Sequence, residues 1–194
     1  MTLIAFLRHG RTAWNAQGRL QGRVDEPLDV VGHAQALAVA ARVGAADELI
    51  SSPLRRAVQT AEAFGAPFTV DERWIELSYG IYEGVTHAEV PSEAWRQWRE
   101  DPSFVPEGGE ALATLDVRVR EACEDLSERA RDRTVVVVSH VSPIKSAVAW
   151  ALGTGVEISW RSHLSHASIC RIDIRRGGPV LYGFNETADA TRED

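Results

Sequence analysis

Arg8 and His9 stand where the apolar run Ile4–Leu7 ends, and His140 follows the apolar run Val135–Val138. A third junction, after DELISS, carries Pro53, Leu54 and Arg55. Ligands of open parallel sheets bind beyond the carboxyl ends of the strands. If these runs are parallel strands, Arg8, His9, Arg55 and His140 converge at one edge. Arginine presents a flat fork that matches pairs of phosphate oxygens. Helix N-termini at the same edge add backbone N–H donors and a favourable dipole. A neutral imidazole in such an anion site can attack phosphorus and carry the phosphoryl group covalently. The neighbouring cations disfavour the imidazolium, which keeps His9 neutral near neutral pH, and they offset charge on the transferring group. The leaving oxygen then needs a proton. Glu76, in WIELSYGIYEG, is the candidate donor, and partial burial would keep its carboxyl protonated. Glu83, Glu107 and Glu110 are its rivals, with Glu110 better read as a helix cap or an arginine tether. Arg56 reads as the surface member of the Arg55–Arg56 pair.

The elements that must hold these residues can be read from periodicity. Ile4–Leu7 predicts a short, fully buried strand, and TVVVVS, with no polar alternation, predicts a strand covered on both faces. VVGHAQALAVAARVG predicts a helix that Asp29 caps and Gly44 ends. Pro53 suits a first helical turn ahead of LRRAVQTAEAF. PFTVDERW holds a further strand. In EALATLDVRVREACEDLSERARD, Leu112, Leu115, Val119, Ala122, Cys123 and Leu126 share one stripe of a long amphipathic helix. PIKSAVAWALG is the helix after the second histidine, and ASICRIDIRR with PVLYGF reads as a terminal hairpin. Strands alternating with helices predict a three-layer α/β/α sandwich around a mostly parallel sheet. One domain over 1–194 is expected, with a helical cap inserted at roughly 74–109 and a polar tail at roughly 185–194.

The chain has 194 residues, a net charge of -7 and two cysteines. The acidic balance argues against nucleic acid as partner, so an anionic ligand must be held by local positive groups. Cys123 and Cys170 match no metal or redox spacing and read as buried thiols of a reducing compartment. The N-terminus lacks a signal-peptide pattern, and no apolar run approaches the roughly 20 residues of a membrane span. A cytoplasmic protein is expected. His163 and His166 are three apart, but no cysteine or carboxylate joins them at metal-ligand spacing, so no metal is expected. His87 lies in the cap and is a candidate for substrate contact. Trp74 and Tyr82 either line the pocket near Glu76 or belong to the core. The terminal hairpin offers an edge at which a homodimer could pair.

LRHGRTAWN, GRLQG, SSPLRRAVQTA, ELSYGIYEG, PEGGEAL and VVVVSHVSPIK, in that order, resemble the histidine phosphatase superfamily, the phosphoglycerate-mutase-like fold. The resemblance runs from Leu3 to about Tyr182. It implies that His9 becomes phosphohistidine, that Glu76 donates the proton, and that Arg8, Arg55 and His140 bind phosphate. It also implies that Asn15 contacts a phosphate oxygen or fixes His9, and that Gln21 and Gly22 line the substrate side. No metal or other cofactor is implied. Val141 stands where the family often has glycine; its N–H can still face phosphate, but valine tolerates left-handed geometry poorly. Gly10 is expected to let the backbone pass close to the ligand. The implied activity is hydrolysis of a small phosphomonoester. The alternatives are phosphoryl transfer of the mutase type and a non-catalytic phospholigand-binding protein.

Overall fold

The computed structural model describes residues 2–130 and 132–188. Its strands are β1 (Thr2–Arg8), β2 (Glu48–Ser51), β3 (Thr69–Val70), β4 (Thr134–Ser139), β5 (Ile169–Arg175) and β6 (Gly178–Glu186). Its helices are α1 (Ala13–Ala16), α2 (Val30–Val43), α3 (Arg55–Glu62), α4 (Ser92–Glu100), α5 (Leu112–Arg129) and α6 (Val141–Leu152). One six-stranded sheet runs β3-β2-β4-β1-β5-β6. The first four strands in that order are parallel, whereas β5 pairs antiparallel with both β1 and β6. The expected mostly parallel sheet is thus present. Its carboxyl edge gathers the ends of β1, β2 and β4, because Arg8 is in register with Ser139, and Ser51 with Val138.

Alternation along the central strands divides the core. Ile4, Phe6, Val135 and Val137 face the stripe of α5 and the buried face of α6. Ala5, Leu7, Val136 and Val138 face Val39 of α2 and Ala57 and Ala61 of α3. With Val135–Val138 fully buried, β4 has helices on both faces, as the unbroken valine run requires. Asp29 accepts from the N–H of Gly32 and caps α2, which ends at Gly44. Trp74 belongs to the core and packs on Phe6 with ring centroids 5.4 Å apart.

The segment 74–109 carries the short 3-10 turn Gly80–Tyr82 and α4. Its own cluster joins Leu20, Val90, Ala94 and Trp98, with Tyr79, Tyr82 and Phe104 packed around them. Because Leu20 follows β1, this cluster ties the segment to the carboxyl edge of the sheet. Asn185 and Glu186, expected in the polar tail, belong instead to β6, the outer strand. The tail beyond residue 188 lies outside the described residues. Among the described residues no helix is long and apolar enough to cross a membrane.

Candidate active site

His9 leaves the end of β1 and donates its backbone N–H to the Ser139 carbonyl at 3.0 Å, so the ends of β1 and β4 fix its main chain. Its Nδ1 lies 2.7 Å from the Gly10 carbonyl oxygen. A carbonyl can only accept, so Nδ1 carries the proton and Nε2 keeps a lone pair. His140 occupies the N-cap position of α6, with its ring centroid 5.0 Å from that of His9. Its Nε2 lies 2.7 Å from Ser52 Oγ, on the loop after β2.

The guanidinium between the two rings belongs to Arg56, not Arg55. Arg56 Nε donates to His9 Nε2 at 3.3 Å and to His140 Nδ1 at 3.2 Å. Its Nη2 and Nη1 donate to the carbonyls of Gly22 at 2.7 Å and Val24 at 3.0 Å. Arg55 is exposed, and its backbone N–H donates to Asp25. The reason is helical phase. Pro53 stands ahead of α3, which begins at Arg55; Arg56 then falls on the buried stripe with Ala57, Thr60 and Ala61, while Arg55 lies about 100° away. Among the described residues no carboxylate lies within ion-pair distance of Arg56, although the side chain is fully buried. A buried cation without a charged partner carries a desolvation cost that a bound anion would offset. Burial lowers the Arg56 pKa to about 10 even with Glu76, Asp25 and Glu83 nearby.

The same surroundings set the protonation states of the rings. Burial first, and Arg56 second, push both His9 and His140 well below the ordinary histidine range. Glu76 is 4% exposed, and its desolvation raises the carboxyl pKa. That effect prevails over the N–H groups of Leu77 at 2.7 Å and Ser142 at 3.4 Å, which favour the carboxylate. The strand carrying His140 also anchors the acid, because Ser139 Oγ donates to the Trp74 carbonyl at 2.7 Å. The site therefore combines an uncharged imidazole with a carboxyl group inclined to hold its proton.

A cleft of about 140 Å³ opens beside these groups, lined by Arg8, His9, Asn15, Gln21, Glu76 and Val141 together with Arg19, Leu20, Tyr79 and His87. Arg8, nearly buried, donates from Nη1 to the Leu164 carbonyl. Asn15 closes a capping box with Thr12 at the start of α1. Gln21 Oε1 accepts from Thr12 Oγ1 at 2.7 Å, which turns the buried amide Nε2 away from Thr12. Val141 opens α6 without a positive φ, so the position does not require glycine. His87 reaches the cleft and stacks on Trp95. At Gly10 a Cβ would lie 2.4 Å from the Gly32 carbonyl oxygen, so its absence lets the loop after β1 meet the first turn of α2. Arg19 and Tyr79 are cleft residues that sequence reasoning missed. Arg19 stands inside the quoted GRLQG, two residues before Gln21, and that proximity was its signal.

Residues 4–187 match the model of the histidine phosphatase superfamily (branch 1). The chain is 38% identical over 178 residues to the bifunctional protein Rv2228c of Mycobacterium tuberculosis, covering 87% of this chain and 49% of that protein. It thus spans about half the length of that relative. It is 32% identical over 197 residues to phosphoserine phosphatase 1 of Hydrogenobacter thermophilus, covering 96% and 93% of the two chains. Phosphoserine phosphatase of Entamoeba histolytica, solved in complex with 3-phosphoglyceric acid, superposes with a TM-score of 0.89 at 30% identity, covering 96% of this chain and 98% of that one. With its motifs in order, its sheet and its paired histidines, the chain belongs to the histidine phosphatase superfamily, branch 1.

Proposed function

We propose that the protein hydrolyses a small phosphomonoester through a phosphohistidine on His9. The observation that carries this reading is the fully buried guanidinium of Arg56, placed between two imidazoles with no carboxylate beside it. In the first step the Nε2 lone pair of His9 attacks phosphorus and the bond to the ester oxygen breaks. The Glu76 carboxyl gives its proton to that oxygen, and the alcohol leaves. Arg8, Arg56 and His140 hold the phosphoryl oxygens, replacing the long contacts that Arg56 makes to the rings. The Gly10 carbonyl, accepting from Nδ1, stabilises the positive charge on the phosphorylated ring. In the second step the Glu76 carboxylate takes a proton from water as its oxygen attacks phosphorus. The N–P bond breaks, His9 regains its lone pair, and inorganic phosphate departs. Asn15, Gln21 and Val141 line the same cleft and face the substrate.

A panel of phosphomonoesters assayed for released phosphate tests the reading, and the carboxylated esters phosphoserine and 3-phosphoglycerate belong in it. The expected result is stoichiometric phosphate and free alcohol. Rapid conversion of 3-phosphoglycerate to 2-phosphoglycerate, without free phosphate and with a trace of the bisphosphate present, would establish a mutase instead. The expected pH dependence follows from the two shifts. Neutral His9 is available above its depressed pKa, so the acid limb of kcat/KM lies below the ordinary histidine value. Protonated Glu76 is available below its raised pKa, so activity falls as pH climbs through a value above the ordinary glutamic acid one. Glu76→Gln is expected to lower kcat about 100-fold on alkyl phosphates and to lose less on p-nitrophenyl phosphate, whose leaving group needs no proton. Equal losses on both esters would remove Glu76 from the acid role.

A further inference from the structure

We propose that Glu83 is the positioning residue of this centre: its carboxylate holds the loop 22–24, and through that loop fixes Arg56 and the backbone of Glu76. The proposal rests on the reading of the site given above. Glu83 ends the 3-10 turn Gly80–Tyr82 in the cap and does not line the cleft. Its Oε1 accepts from the backbone N–H of Arg23 at 3.0 Å, and its Oε2 from that of Val24 at 2.9 Å. Oε1 also accepts from the N–H of Tyr79 at 3.3 Å.

The geometry beyond those amides gives them their meaning. The N–H of Arg23 and the carbonyl of Gly22 are opposite ends of one planar trans peptide. Glu83 pulls on one end, and the other accepts from Arg56 Nη2 at 2.7 Å. Val24 extends the grip by one residue: its N–H, on the 23–24 peptide, goes to Glu83, and its carbonyl, on the peptide that follows, accepts from Arg56 Nη1. One donor of the guanidinium end is therefore set by a peptide that Glu83 orients, and the other by the residue whose N–H Glu83 holds. Arg23 extends the reach of the loop: its Nε donates to the Glu76 carbonyl at 3.4 Å and its Nη2 to Glu110 at 3.1 Å. Arg118, bound to the same Glu110 carboxylate, donates to that carbonyl from the other side. Gly22 completes the picture, for a Cβ there would lie 2.2 Å from Glu83 Oε1. Only glycine leaves room for the carboxylate at this place.

The test uses Glu83→Gln, Gly22→Ala and the double variant. Glutamine keeps the shape but offers only one accepting atom to the N–H groups of Arg23, Val24 and Tyr79, and alanine crowds the same carboxylate together with the Leu77 carbonyl, 2.8 Å from its Cβ. Inorganic phosphate is the binding probe, titrated by calorimetry into folded protein, alongside kcat/KM and Tm. Each single variant is expected to weaken phosphate binding and lower kcat/KM by about tenfold, the scale of one lost charge-assisted hydrogen bond. The double variant is expected to stay within about twofold of the worse single one, because both act on one contact. Folded Glu83→Gln with phosphate affinity and kcat/KM within about twofold of wild type would overturn the proposal, as would losses that multiply in the double variant. If Glu83→Gln does not fold, Gly22→Ala decides by the same affinity criterion. Wild-type protein that binds phosphate but hydrolyses no ester would sink the hydrolase reading alone, since the binding measurement needs no turnover.

Discussion

Replacing His9 by alanine is expected to lower kcat by at least about a thousandfold while substrate still binds. Without the imidazole no atom on the β1 end can accept the phosphoryl group, and direct attack by water must take over. Arg8, Arg56 and His140 remain to hold phosphate, so KM should change far less than kcat. The variant removes a ring that is 4% exposed and leaves the Gly10 carbonyl without its side-chain donor, so some stability is lost as well. Folding must therefore be checked before the rate is read. The direct measurement is a base-quenched reaction with labelled ester: wild type traps base-stable, acid-labile label on His9 and the alanine variant traps none. Retention of more than about a tenth of the wild-type rate would contradict covalent catalysis at this residue.

The scaffold was legible because its signals are local. Four consecutive valines in β4 can be satisfied only between two helical layers, and the stripe from Leu112 to Leu126 announces the buried face of α5. From there, His9 and His140 follow as strand-end residues, and the convergence needed only the assumption of parallel strands. The error at Arg55 was also decidable locally. Arg56 shares its helical stripe with Thr60, one turn on, and sits beside Ala57 and Ala61, whereas Arg55 shares its stripe with Gln59 and Glu62. Other features depend on meetings between distant segments and leave no local trace. Gly10 is small because Gly32, at the start of α2, lies against it; Gly22 is small because Glu83 lies against it. A sequence shows both as permissive turn residues. Glu83 looked like a rival acid, and only the position of the loop 22–24 shows its oxygens engaged by backbone amides.

Arg56→Ala is expected to reduce kcat/KM by about a thousandfold, and Arg55→Ala to leave it within about twofold, reversing the roles that adjacency alone suggests. The asymmetry follows from where each guanidinium lies. Arg56 is buried between His9 and His140, where charge developing on the phosphoryl oxygens is poorly screened, so its removal takes away both a charge and a fork of donors. Arg55 is exposed, and its backbone N–H bond to Asp25 survives truncation of the side chain. Lysine should not rescue Arg56: one ammonium cannot reach two carbonyls and two ring nitrogens from a single stem. The pH profile offers a second readout that loss of packing would not produce. Arg56 is second only to burial in depressing the His9 pKa, so its loss lets that pKa rise. The acid limb of the remaining activity should then move to higher pH, toward the ordinary histidine value. A collapse of turnover in Arg55→Ala, or an unmoved acid limb in folded Arg56→Ala, would show that a different cation governs the imidazole and would reassign the phosphate site.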